Sequence, residues 1–219
     1  MQRNNHYRLR GFKRSSESDI ELVNLMGFHP SIMKAKGYWE SGFDFENQVD
    51  LNSVDREIFQ TKARIERKIG NVLYAVVDKL DKVVGWIWFY KDKSHPLPRG
   101  VASKLGINKY NSRVYQISYE KLMSSDWPEE LVDKAEHVTL DYLTKERKGV
   151  IVIGLAKAIK SLTRRFRSLY VRKQKLGLYA FTHPRNIASR KVLEKNGFEK
   201  VGRKYSYDGT PHYLWVKVV

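Results

Sequence analysis

The most regular apolar pattern of the chain lies in its middle, where two runs of mostly β-branched and aromatic residues flank a short polar turn. The first run covers residues 72–77, the second covers residues 83–90, and residues 78–82 form the turn. β-Branched and aromatic side chains favour strands, and a short polar turn joins antiparallel neighbours. The pattern therefore predicts a β-hairpin over residues 72–90.

Other segments show the apolar spacing of helices. A helix is predicted to start near Ile20, after several capping residues at 15–19. A second helix starts near Val152, and its apolar stripe consists of Leu155, Ile159, Leu162, Phe166 and Leu169. A third helix is capped by Asn186 and stopped by Gly197. Further helices are predicted at residues 54–69 and 126–134.

The remaining apolar runs predict strands between these helices. They lie at residues 7–13, 114–119, 137–143, 175–181, 199–207 and 212–219. Residues 91–111 contain Pro and Gly and predict a surface excursion. The order of elements predicts a mixed α/β (α+β) fold, in which helices flank a mostly antiparallel central sheet. No repeat or linker divides the chain, so we expect a single domain over residues 1–219.

The composition excludes several classes of site. There is no Cys, which excludes disulfides, thiolate metal sites and a Cys nucleophile. The six His show no metal-ligand spacing, so no metal is expected. The longest apolar run, residues 150–156, is far shorter than the roughly 20 residues of a membrane span, and no secretory signal is visible. We therefore expect a soluble, cytoplasmic protein that does not enter a membrane.

The chain is strongly basic, with 41 Lys and Arg against 24 Asp and Glu and a net charge of +17. Such a charge attracts nucleic acid, acidic membrane surfaces or phosphorylated small molecules, and does not choose among them. Many of the basic residues lie in the segment 157–175, which is either a solvated helix face or a contact for nucleic acid. Its members are Lys157, Lys160, Arg164, Arg165, Arg167, Arg172, Lys173 and Lys175.

The most specific motif covers residues 186–202, which read NIASRKVLEKNGFEKVG. Asn186 caps a helix, Gly197 ends it, and Phe198 leads into a strand. At these residues the chain resembles the GNAT family of N-acetyltransferases, whose corresponding block reads N-x-x-S/A and later E-K-x-G-F-x-x-x-G. The resemblance implies a GNAT-like acyltransferase fold and acetyl-CoA as cosubstrate.

The family's pyrophosphate loop, R/Q-x-x-G-x-G/A, corresponds to the segment before the second predicted helix. Backbone N–H groups and the positive end of a helix bind such an anion. Residues 145–149 resemble the start of the loop and residues 154–160 the helix after it, with Val150–Ile153 between them. The resemblance implies these coenzyme-binding residues: Leu143, Thr144, Lys148, Gly149, Val150, Ile151, Gly154, Asn186 and Ser189.

The resemblance also implies a carboxylate that takes a proton from the attacking amine, directly or through water. Glu136 is the first choice because it lies at the start of the strand predicted at 137–143, and Asp141 and Glu120 are the alternatives. The family's usual acid, a Tyr on the last helix, is replaced by Leu193, so Ser189 is a candidate to donate a proton or hold a water. Tyr179, Tyr205 and Tyr213 are further candidates for this role.

Three functions fit these features. The first is an N-acetyltransferase that acts by direct attack on a small-molecule or protein amine, and the positive charge would favour an acidic or phosphate-bearing acceptor. The second is a related transferase that uses aminoacyl-tRNA as donor, and the third is a non-catalytic binding module with the same fold. Neither the acceptor nor the oligomeric state follows from the sequence.

Overall fold

The computed structural model describes residues 7–11, 16–28, 72–91, 96–107, 112–124, 127, 138–169, 175–207 and 210–219. Seven strands lie in these ranges. They are β1 (Arg8–Arg10), β2 (Val72–Val77), β3 (Val83–Tyr90), β4 (Ser112–Lys121), β5 (Lys175–Thr182), β6 (Glu199–Tyr207) and β7 (Thr210–Val218). The same ranges contain five helices, which are α1 (Glu17–Phe28), α2 (Arg99–Lys104), α3 (Leu140–Leu143), α4 (Val150–Leu169) and α5 (Ile187–Lys195).

The strands of the described ranges form one sheet in the order β1-β2-β3-β4-β5-β7-β6. Every neighbouring pair is antiparallel except β4 and β5, which run parallel. A parallel pair needs a crossover connection, and here the crossover includes α4, which links β4 to β5. The predicted fold class, a mixed and mostly antiparallel sheet flanked by helices, is confirmed.

Helix α4 packs its apolar stripe on the sheet, as predicted. Leu155, Ile159, Leu162 and Phe166 are all buried in the main core. Gly154 lies in the first turns of the helix, where an added Cβ would lie 2.7 Å from Val76 Cγ2 of β2. The missing side chain therefore lets the start of α4 approach the sheet closely.

The N-terminal strand and helix are joined by a partly buried ion pair. The Arg10 guanidinium donates to both carboxylate oxygens of Asp19, at 2.6 and 2.8 Å. It also donates to the side chain and the carbonyl of Asp81, in the β2–β3 turn. Bidentate pairs of this kind combine charge with fixed geometry, and this one ties β1, α1 and the hairpin turn together.

The hairpin, α5 and the C-terminal hairpin match their predictions within a few residues. A smaller apolar cluster joins α2 to β5 and β7. It consists of Val101, Tyr179, Leu214 and Val216. Helix α2 lies in residues 91–111, for which the sequence predicts a surface excursion. The predicted helix at 54–69 and most of the one at 126–134 lie outside the described residues.

Within the described part of the chain, no helix is both long and apolar enough to cross a membrane.

The strand predicted at residues 137–143 is wrong. Residues 140–143 form the single-turn helix α3, whose N-cap is Thr139. The Thr139 side chain accepts a hydrogen bond from the Tyr142 backbone N–H at 3.4 Å, and its carbonyl accepts from Leu143 N–H at 3.0 Å. Local capping therefore competes successfully with the strand preference of these residues.

Candidate active site

The parallel strands β4 and β5 separate halfway along their length. Their register runs from Ser112 opposite Lys175 to Gln116 opposite Tyr179 and stops there. Beyond it, β4 stays paired with β3 up to Lys121, and β5 stays paired with β7 up to Thr182. The strands thus open a wedge towards their carboxyl ends, which we call the split. Crevices at the carboxyl ends of parallel strands are where ligands bind in open sheets of this kind.

Helix α4 begins directly after Gly149, once the chain has left the carboxyl end of β4. Gly149 is exposed and has φ +72°, a conformation that favours glycine. Its carbonyl accepts the first hydrogen bond of the helix, from Ile153 N–H at 3.0 Å. The N–H groups of Val150, Ile151 and Val152 precede that bond, and they carry the positive end of the helix dipole.

Two large side chains at the start of α4 turn towards the sheet, where a glycine makes room for them. Val150 and Ile151 are buried, and both lie over Gly85 of β3. A Cβ at Gly85 would lie 2.9 Å from Ile151 Cδ1 and 3.3 Å from Val150 Cγ1. The side chains of both residues therefore lie on the sheet side of the helix start and not on its solvent side.

The turn before α4 is held by a buried arginine. The Arg147 guanidinium donates to the carbonyls of Leu143 at 3.2 Å, of Lys145 at 2.7 Å and of Tyr142. It also lies over the Tyr142 ring, 4.4 Å from the centroid. Three carbonyls on one planar cation fix the path of the chain up to Gly149, since the guanidinium presents its donors in a rigid fork.

Tyr142 connects this turn to the β2–β3 hairpin. Its hydroxyl donates to Asp78 Oδ2 at 3.0 Å, and Lys82 Nζ lies 4.6 Å from its ring centroid. Burial, with the nearby Asp78 carboxylate, raises the pKa of Tyr142 well above its ordinary value. The hydroxyl therefore stays protonated and continues to donate, which keeps the turn and the hairpin together.

The residues before and within α4 that the family resemblance implies for coenzyme binding occupy different kinds of position. Leu143 lies in the core, and Thr144 donates its hydroxyl to the Leu140 carbonyl at 3.0 Å. Lys148 is exposed and pairs with Glu146 at 3.1 Å. Gly149, Val150 and Ile151 form the start of α4, as described above. Gly154 lies farther along the helix, where it contacts the sheet, so its position is explained by packing and not by a loop around an anion.

The start of α5 lies beside the separated half of β4. The Asn186 side-chain oxygen accepts from Ser189 N–H at 3.0 Å, so the predicted cap is confirmed. The Ser189 carbonyl in turn accepts from the Tyr119 hydroxyl of β4 at 3.0 Å. Burial raises the pKa of Tyr119 well above its ordinary value, so this hydroxyl stays a donor. The contact places the N-terminus of α5 at the split.

The carboxylate candidates occupy very different positions. Glu136 lies outside the described residues. Asp141 is exposed on α3, so it does not lie on a strand as predicted. Glu120 lies near the end of β4, in its separated half, and is only 8% exposed. Its Oε2 accepts from Trp86 Nε1 of β3 at 3.2 Å.

Tyr119 and Glu120 are consecutive in β4, so their side chains point to opposite faces of the sheet. Tyr119 faces α5, and Glu120 lies on the other face with its register partner Trp86. Leu193, for which the resemblance implies a Tyr in the family, is fully buried. The sequence pattern missed Tyr119, Arg147 and Gly85. Tyr119 and Gly85 contact residues that are distant in sequence. Arg147 binds backbone carbonyls two to five residues away, and backbone acceptors leave no mark in a side-chain pattern.

No protein-family model matches the sequence, and no curated protein matches it significantly. Solved structures do match. The ribosomal-protein-S5-alanine acetyltransferase from Vibrio fischeri is 17% identical, with a TM-score of 0.53 over 97% of this chain and 93% of that one. RimL, a ribosomal L7/L12 alpha-N-protein acetyltransferase, is 12% identical, with a TM-score of 0.58 over 98% and 91%.

A third similar structure is the aminoglycoside acetyltransferase AAC(6')-Ib in complex with coenzyme A. It is 14% identical, with a TM-score of 0.55 over 96% of this chain and 94% of that one. The matches extend over nearly the whole length of both chains, so they concern the complete architecture and not one motif. The protein has the fold of the GNAT acetyltransferases.

Proposed function

We propose that this protein is an N-acetyltransferase that moves the acetyl group of acetyl-CoA to a primary amine by direct attack in a ternary complex. The observation that carries the proposal is the split between β4 and β5, with the N-termini of α4 and α5 beside it. The shared fold supports it, since structures of that fold include one in complex with coenzyme A and one with acetyl-CoA.

The coenzyme pyrophosphate would bind at the start of α4. The N–H groups of Val150, Ile151 and Val152 point out of the helix end, and Gly149 adds no side chain that could obstruct an approaching phosphate. Lys148 and Thr144 are exposed next to this end and can add charge and a hydroxyl. Asn186 and Ser189 lie at the start of α5, beside the separated half of β4.

Glu120 is the carboxylate that the geometry favours as the proton acceptor. It lies where β4 has left β5, and Trp86 orients one of its oxygens. In the reaction the amine nitrogen attacks the thioester carbonyl, a C–N bond forms and the C–S bond breaks. The amine proton passes to Glu120, directly or through a water, and the coenzyme sulfur leaves as a thiolate that takes up a proton.

Glu136 and Asp141 stay as alternative bases, and Ser189 stays a candidate proton donor or water ligand. Much of the rate would come from holding amine and thioester together in the split, since positioning alone lowers barriers by several kcal/mol. The buried Leu193 cannot supply a proton. The acceptor class is an amine on a small molecule or a protein; similar structures are described as acting on ribosomal proteins and aminoglycosides.

The proposal is tested first by binding and then by turnover. Calorimetry at low ionic strength should show saturable binding of acetyl-CoA, and a hundredfold excess over Kd should add about 2.7 kcal/mol to the free energy of unfolding. Transfer is then followed with a thiol reagent over a panel of peptide, aminoglycoside and phosphate-bearing amines. The protein has no Cys, so the reagent detects only released coenzyme.

The outcomes separate the three functions of this fold. Binding of acetyl-CoA with release of its thiol on adding an amine supports the acetyltransferase. Binding without turnover on any amine would favour the non-catalytic module. The apolar Leu193, where the resemblance implies a Tyr in the family, is compatible with that outcome. Absence of binding, together with transfer from aminoacyl-tRNA, would favour the tRNA-dependent transferase.

A further inference from the structure

The positive charge of the chain is concentrated in one part of it. Residues 145–219 contain 19 Lys and Arg but only four Asp and Glu, a surplus of 15 out of a net charge of +17. Residues 1–144 are almost balanced, with 22 basic against 20 acidic residues. The basic part comprises α4, β5, α5, β6 and β7, so a polyanion would be attracted mainly to these elements.

Within this part, α4 presents a row of cations on the side opposite its buried stripe. Lys160, Arg164 and Arg167 are all exposed, and their spacing of four and three residues places them on one face of the helix. We call these three residues the outer row. Helix α4 contains no acidic residue at all, so nothing along its own length neutralises the row.

The proposed coenzyme does not account for the outer row. Val150 marks the helix end where the pyrophosphate would bind, and Lys160 lies ten residues farther, about 15 Å along the axis. Arg167 lies about 25 Å from that end. A coenzyme bound at the helix start would leave the outer row in solvent and available for another anion.

We propose that the outer row is a docking surface for double-helical nucleic acid, which it contacts through the phosphate backbone. The three cations of the outer row lie within about 10 Å along the helix axis. This spacing suits a polyanion with closely spaced phosphates better than a ligand with a single carboxylate. Single strands would need exposed rings on which bases stack, and Phe166, the aromatic residue of α4, is buried in the core. The proposal does not depend on the acetyltransferase activity.

The test measures binding of a fluorescent 20-base-pair RNA duplex, and of a DNA duplex, by anisotropy over a range of salt concentrations. The variant K160Q/R164Q/R167Q removes the outer row and should bind at least tenfold more weakly at about 100 mM salt. The slope of log K against log salt should fall by about two to three, roughly 0.9 for each lost phosphate contact.

The matched control, K79Q/K91Q/R99Q, removes three exposed basic residues from the balanced part of the chain. It should keep the affinity and the salt slope. Equal losses in both triple variants would show a diffuse field without a docking surface and overturn the proposal, as would binding to anionic lipid vesicles but not to duplexes.

Folding of the variants is checked by circular dichroism, and acetyl-CoA binding is measured separately, so failure of the coenzyme proposal is not confused with failure of this one. The single variants R164Q and R167Q serve if the triple variant does not fold. Each should lower the salt slope by about one, and an unchanged slope in both would also overturn the proposal.

Discussion

At the scale of single residues, the start of α4 depends on the backbone of Gly149. Its φ of +72° lies in the left-handed region, where a Cβ meets the following carbonyl. The nearest atom to an added Cβ is Ile153 Cδ1 at 3.5 Å, which is an ordinary contact. A side chain at position 149 would therefore destabilise the protein through the strained backbone conformation and not through steric crowding.

Gly149→Ala is expected to destabilise the protein by about 1–2 kcal/mol and to weaken acetyl-CoA binding, because the turn relaxes and the first amides of α4 shift. Urea denaturation and calorimetry measure the two effects. The matched control is Gly100→Ala, where no atom lies within 4 Å of the added Cβ and φ is not positive. Unchanged acetyl-CoA affinity in Gly149→Ala would argue against this helix end as the anion site.

Glu120 is the residue on which the proposed chemistry depends most. Glu120→Gln keeps the shape and the acceptor for Trp86 Nε1 but cannot take a proton at neutral pH. We expect kcat/KM to fall by about 10²–10⁴ while acetyl-CoA affinity is unchanged. Initial rates of thiol release with the best amine of the panel measure the loss.

The alternative carboxylates provide the comparison for this prediction. Asp141→Asn changes an exposed carboxylate and should leave the rate within about twofold of the wild type. Glu136→Gln is made alongside it. If Glu136→Gln abolished turnover while Glu120→Gln did not, the first choice made from the sequence would be right and the assignment of Glu120 wrong.

At the scale of elements, α4 and the sheet fit by exchanging small and large residues across their interface. Gly85 of β3 accepts Ile151 and Val150 of the helix, while Gly154 of the helix accepts Val76 and Ile87 of the strands. Each glycine thus faces branched side chains of the other element. This complementarity fixes the height of the α4 N-terminus above β3 and β4, and with it the position of the candidate anion site relative to the split.

A double-mutant cycle tests this fit. Gly154→Ala should destabilise the protein, because its Cβ would lie 2.7 Å from Val76 Cγ2 and overpacking costs about 1–3 kcal/mol. In a Val76→Ala background that contact is gone, and the closest remaining atom is Ile87 Cδ1 at 3.2 Å, so the same change should destabilise the protein less. Denaturant midpoints of the wild type, the two single variants and the double variant give the coupling free energy between the two positions. Additive effects would show that Gly154 and Val76 are not coupled.

At the scale of the whole molecule, two tyrosines join elements that are distant in sequence. Tyr119 joins β4 to α5, and Tyr142 joins α3 to the β2–β3 hairpin. For both, burial is the main reason that the pKa is raised. Their ionisation is therefore suppressed in the folded protein relative to the unfolded chain, whose tyrosines titrate near pH 10.

This difference makes the protein lose stability at alkaline pH. Above about pH 10 the unfolded chain releases these two protons and the folded protein keeps them, so each group lowers the free energy of unfolding by up to about 1.4 kcal/mol per pH unit. Tyr119→Phe and Tyr142→Phe should each reduce that slope by one proton, and the double variant by two. Urea denaturation between pH 9 and 11 measures the slope; an unchanged slope in both variants would contradict the prediction.

The elements that followed from the sequence are those whose pattern is local. Residues 186–197 carry their own cap and stop signal, and α5 begins and ends there. The 72–90 hairpin likewise follows from composition and turn chemistry. Residues 138–143 are a segment where the local pattern does not decide the structure. Their order of apolar and polar residues fits both a strand and a capped helical turn. The hydrogen bonds of Thr139 and Arg147 decide for the turn.

By itself, the sequence determined the mixed sheet and the caps of the C-terminal helix, because these depend on neighbours along the chain. It also predicts the segment that we propose as the anion site. The tertiary structure alone decided where β4 leaves β5, that Glu120 lies at that point, and that Gly85 makes room for Ile151. Those features join residues 30 to 70 positions apart, and no periodicity along one segment records which distant side chain will fill a space or accept a hydrogen bond.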